Sequence, residues 1–122
     1  MKSKKELKDE YKQKKLKMGV FQIKNIINSK IFIGSSLDLD AIWNRHKSQL
    51  QFRSHPNKEL QKDWNEFGEE NFTYAILAEI KQDEDKQIDY SKAVKELEDL
   101  YIDELQPYDD RGYNRKIIKR QD

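Results

Sequence analysis

Three polar side chains, His46, Glu98 and Asn114, stand where spacing gives them a structured setting and where their type could do chemistry on a phosphate or a metal ion. Glu98 lies four residues after Val94 and three before Tyr101, so a helix would put its carboxylate beside an apolar stripe and off the fully solvated face. A lone carboxylate there can hold magnesium only with help from substrate phosphate, because this ion keeps several of its waters. With Glu96 and Asp99 close by, an ordinary stripe-edge glutamate is the alternative. His46 follows Ile42 by four residues on one helix face, as a phosphate contact or as a histidine satisfied at the core edge. His55, beside Pro56, reads as a turn residue, a helix start or a nucleic-acid contact, and Asn114, after Gly112-Tyr113, could close a turn by bonding its own backbone. The chain has no cysteine, which excludes disulfides, thiolate zinc sites and thiol nucleophiles.

These groups need a scaffold, and the apolar pattern supplies one. Val20 to Lys24 and Lys30 to Gly34 are short runs rich in β-branched and aromatic residues around a turn-forming stretch, which predicts an antiparallel hairpin. Gly34-Ser35-Ser36 is expected to break the second strand, with Ser36 or Asp38 capping a helix whose apolar positions are Leu39, Ile42, Trp43 and Leu50. Leu60, Trp64 and Phe67 mark a second helix with Gly68 placed to end it. Phe72, Tyr74, Ile76, Ala78 and Ile80 alternate as a third strand. After an acidic linker, Lys81 to Asp89, the residues Val94, Leu97, Tyr101 and Leu105 predict a third helix stopped by Pro107. Trp43 and Trp64 lie in helical apolar stripes, so both are expected to pack in the core.

At 122 residues the chain is expected to form one domain, from 18 to 114, between a basic helix or arm at 1–17 and a basic tail at 115–122. No apolar stretch is long enough to span a membrane, and the lysine-studded start lacks the apolar segment of a secretory signal, so the cytoplasm is the expected compartment. Net charge is only +1, but its distribution is uneven. Met1 to Lys17 carries eight lysines against three acids, whereas Glu79 to Asp110 carries twelve acids against four lysines. Basic ends of this kind can hold DNA phosphates by counterion release. They can equally be solvated, or the N-terminal helix can fold back on the acidic helix of its own chain. No feature of the sequence fixes an oligomeric state.

Read in order, Gly19-Val20-Phe21-Gln22-Ile23-Lys24-Asn25, Lys30-Ile31-Phe32-Ile33-Gly34-Ser35 and Trp43-x-Arg45-His46 resemble the first half of a GIY-YIG nuclease domain of the kind found in phage intron homing endonucleases. His55, Leu60-Gln61, Asn65-Glu66-Phe67-Gly68, Phe72, Ile76-Leu77, Glu98, Tyr101-Ile102 and Gly112-Tyr113-Asn114 continue the series, so that the resemblance runs from about Gly19 to Asn114. It implies an α+β fold, a small three-stranded antiparallel sheet flanked by three core helices, to which the lysine-rich N-terminal helix would be added. It also implies metal-assisted phosphodiester hydrolysis: two hairpin tyrosines position and deprotonate water, an arginine stabilises the transition state, and a glutamate holds Mg2+ or Mn2+.

Carried over position by position, that site becomes Phe21, Phe32, Ile42, His46, Glu98 and Asn114, and the first three have lost their chemistry. Phenylalanine cannot accept a proton and isoleucine cannot bond a phosphate oxygen. Arg45, one helical turn beyond Ile42, is the candidate substitute for the arginine, with a surface arginine as its other reading. The reading that follows is a catalytically impaired member that binds DNA or a protein partner. Its DNA contacts would include Lys14, Lys15, Lys17, His55, Arg115 and Lys116. The alternative is an active endonuclease with rearranged residues.

Overall fold

The computed structural model describes residues 16–82 and 88–115. Strand β1 (Met18–Asn25) pairs antiparallel with β2 (Ile31–Ser36), setting Phe21 opposite Gly34 and Ile23 opposite Phe32. Asn25 organises the turn between them, its carbonyl accepting from the Ser29 N–H (2.8 Å) and its side chain from the Ile27 N–H (3.0 Å). Strand β3 (Phe72–Ile80) pairs antiparallel with the other edge of β1, so the sheet order is β2-β1-β3 and the first strand is central. Helices α1 (Leu39–Gln51), α2 (Lys58–Phe67) and α3 (Tyr90–Leu105) complete the expected α+β architecture. The expected N-terminal helix falls on residues 1–15, outside the described residues, as do residues 83–87 of the acidic linker.

Local chemistry explains the boundaries. Asp38 caps α1, accepting from the Ala41 N–H at 3.1 Å, and Asn57 caps α2 through the Leu60 N–H at 3.0 Å. Gly68, with φ of 89°, ends α2 as its sequence position predicted. The expected break at Gly34-Ser35-Ser36 does not occur, because all three residues stay in the ladder, opposite Phe21, Val20 and Gly19. Gly34 is there for space: a Cβ added to it would lie 2.6 Å from Cζ of Phe21, whose ring covers it. At the far end, Leu105 is exposed and not a core residue. It is the last residue of α3, where the chain turns away through a left-handed Gln106.

One cluster forms the heart of the core: Phe21 and Ile23 of β1, Leu39 and Leu50 of α1, Leu60 and Trp64 of α2, with Phe72 and Tyr113. Helix α3 packs on β1 and β2. Trp64 is buried against Phe72, ring centroids 5.2 Å apart, whereas Trp43 is half-buried and stacks on Tyr74 at 4.9 Å. Trp64→Ala is therefore expected to cost about 3–5 kcal/mol, and a thermal melt indistinguishable from that of the natural chain would contradict this core assignment. Among the described residues no helix is long and apolar enough to cross a membrane.

Candidate active site

The hairpin and α1 bring three of the singled-out residues into direct contact. The Phe21 ring centroid lies 6.4 Å from that of Phe32 and 5.5 Å from the His46 imidazole, and Phe32 meets His46 edge-on at 5.6 Å. Phe21 is 1% exposed and belongs to the core, while Phe32 and Ile42 are partly buried hydrophobics packed against it. Together they present packed hydrocarbon.

A feature that sequence spacing did not reveal is the pairing of the only two histidines. His46 Nδ1 and His55 Nε2 are 2.7 Å apart, and His55 Nδ1 accepts from the Asn57 backbone N–H at 3.0 Å. That backbone donor fixes both tautomers. With Nδ1 of His55 an acceptor, its proton sits on Nε2 and is donated to Nδ1 of His46, which leaves His46 with its own proton on Nε2. His55 is thus buried at the start of α2, the helix-start reading of its position, and what the spacing did not reveal is its contact with His46.

Burial, followed by the neighbouring His55 and Arg45 charges, pulls His46 down from 6.5 to about 4, and burial also lowers His55. Below pH 6.5 the unfolded chain takes up a proton that folded His46 refuses until about 4, so this contribution to stability is whole above 6.5 and lost as pH falls towards 4. Allowing for the partial exposure of the ring, the loss is about 2 kcal/mol. Thermal melts across this window should show it, and His46→Gln should flatten the dependence; an equal pH response in both proteins would refute the assignment.

The remaining candidates are placed differently. Asn114 does not bond its own backbone in a turn: its amide clamps β2, accepting from the Ile33 N–H at 2.9 Å and donating to the Ile33 carbonyl at 2.8 Å. Glu98 is 8% exposed, at the stripe edge as its spacing predicted, and its carboxylate is paired with the Lys95 ammonium three residues earlier. Glu98, in turn, pushes the Lys95 ammonium up. Arg45 is on the exposed face of α1, and Lys17 and Arg115 are exposed, while Lys14, Lys15 and Lys116 lie outside the described residues. Tyr74 spends its hydroxyl on the Leu39 carbonyl at 2.6 Å, and burial, with Asp40 and Asp38 nearby, pushes it up to about 12.

Among the described residues no three His, Asp or Glu side chains converge as a ligand group, and the one buried carboxylate already holds an ammonium. The described residues do not by themselves fit a metal ion.

Known proteins are similar to this chain over the same span. Positions 17–114 match the family model described as the GIY-YIG catalytic domain. Intron-associated endonuclease 1 of Enterobacteria phage T4 is 36% identical over 90 residues, covering 74% of this chain and 34% of that protein, so the chain spans about a third of that relative's length. The solved catalytic domain of the homing endonuclease I-TevI is 33% identical with a TM-score of 0.67, over 82% of this chain and 99% of that one. A mutant of the same catalytic domain gives 32% and 0.67, over 81% and 93%.

Proposed function

Because the chain belongs to the GIY-YIG nuclease family, we propose that it is a DNA-binding member of that family whose phosphodiester-cleaving chemistry is impaired. The observation that carries this reading is the packed Phe21–Phe32–His46 cluster. At the positions the resemblance gives to two tyrosines there is no hydroxyl to orient or deprotonate water, and Ile42 has no N–H for a phosphate oxygen. Losing a general base lowers a rate by about 10²- to 10⁴-fold and losing a charge-stabilising donor by about 10²- to 10³-fold, effects that overlap without cancelling. What the site keeps is suited to binding. His46 is neutral near pH 7 and its Nε2–H is a fixed donor for a phosphate oxygen, but with Nδ1 already accepting from His55 it is a poor base. Glu98 already holds the Lys95 ammonium, which a divalent ion would have to displace.

DNA is the proposed partner because the relatives are endonucleases by name, and the cytoplasm suits that role. The test is to incubate the full chain with supercoiled plasmid, branched DNA and single-stranded DNA, with magnesium or manganese, beside Glu98→Ala. We expect no cutting above that control and a mobility shift at low salt. Cutting that disappears in Glu98→Ala would instead establish an endonuclease rebuilt around other residues, and no shift with any DNA would remove the binding half of the proposal.

A further inference from the structure

The loop after α1 and one face of α2 line an open groove of about 620 Å³. We infer that this groove is a track for the phosphates of a DNA strand, with the exposed Phe52, next to Arg53 in the chain, as a stacking platform for a base; the inference rests on the DNA-binding reading above. Arg53, Lys58 and Lys62 line it against a single carboxylate, Glu66, so the surface carries a surplus of two positive charges with His55 neutral. Lys58 and Lys62, four residues apart, project from one face of α2 about one helical turn, roughly 5.4 Å, from each other. That arrangement suits neighbouring phosphates on one strand.

The groove is built before anything enters it. Gln61 joins its two walls, accepting from the His55 N–H at 3.1 Å and donating to the Leu50 carbonyl at 2.9 Å. Arg53 is held at φ of 59°, its N–H on the Leu50 carbonyl at 3.2 Å, which aims a guanidinium from fixed backbone. Beside it Phe52 is 81% exposed, more than any other large hydrophobic residue among those described. An aromatic ring standing in water, one residue before a cation that lines the groove, can stack on a base while the cations hold the phosphates. At its inner end the groove is lined by His55, which contacts His46, so a strand lying in it would lead to the Phe21–Phe32–His46 cluster.

The test uses the full chain and a fluorescent duplex and single strand, with anisotropy titrations from low to physiological salt. Lys58→Gln combined with Lys62→Gln should lower the slope of log affinity against log salt by about two and weaken binding to every sequence alike. Lys92→Gln, on α3, should change neither. Phe52→Ala should weaken single-strand binding severalfold with the salt slope unchanged. If the natural chain binds and the double variant, still folded by melting, keeps its slope and affinity, the groove is not the track and the basic ends carry the contact. If Phe52→Ala binds as well as the natural chain, the stacking role fails. If the natural chain binds no DNA, the DNA-binding reading fails and the groove assignment with it.

Discussion

Restoring the lost groups together, Phe21→Tyr, Phe32→Tyr and Ile42→Arg, is expected to raise plasmid cleavage by about 10⁴-fold or more over the natural chain. The geometry allows it. The two phenylalanine rings are 6.4 Å apart and each lies within 5.6 Å of His46, so tyrosines at both positions would stand beside one imidazole. Ile42 is one helical turn ahead of His46 on α1, so an arginine there would share that face. Each single change should recover little, because groups that act as a unit are strongly non-additive. A stability cost comes with it: a hydroxyl at the 1% exposed Phe21 position costs about 1–3 kcal/mol until it finds a partner. Nicking of supercoiled DNA with magnesium reads the gain. A triple variant that folds and binds DNA but cuts no faster would place the defect elsewhere, first at the Lys95–Glu98 pair.

Gly19→Ala is expected to have the largest effect on stability. Gly19 sits in the central strand at φ of 154°, a conformation that side chains rarely adopt, and a Cβ there would lie 1.9 Å from the Ala78 carbonyl oxygen in β3. Relief requires β1 and β3 to separate beside the irregularity at Val20/Phe21, which breaks the pairing that holds the sheet together. We expect a loss of about 4 kcal/mol or more. For a domain of this size that is a fall in melting temperature of at least about 15 °C. A fall of only a few degrees would mean that the backbone yields there, against the strained φ and the close approach.

Much of the scaffold was legible because it is local. The hairpin, the alternating third strand, the Asp38 cap and the Gly68 stop all follow from residues within one turn or one strand of each other. So does the stripe-edge burial of Glu98. The site was less legible because its decisive contacts are distant in sequence. His46 and His55 are separated by a helix end and a loop, and no periodicity links them. Asn114 looked like a turn residue because its partner, Ile33, is 81 positions away. That Gly19 lies in the central strand depends on β3 choosing the other edge of β1, which alternation alone cannot specify. Arg53, Lys58 and Lys62 went unremarked because the charge at the chain ends is denser.

The clamp on β2 also sets an order of events during synthesis. The hairpin can close within microseconds of leaving the ribosome, yet the free edge of β2 is covered only when Gly112 pairs with Ile31 and Asn114 seizes Ile33. Those 81 residues take roughly 4–16 s to make at 5–20 residues per second. For that interval the nascent chain carries an unprotected strand edge, the kind of surface that pairs with other chains. Crowded polysomes are therefore where this small domain is most exposed to misassembly, and its last strand contact is the step that ends the risk.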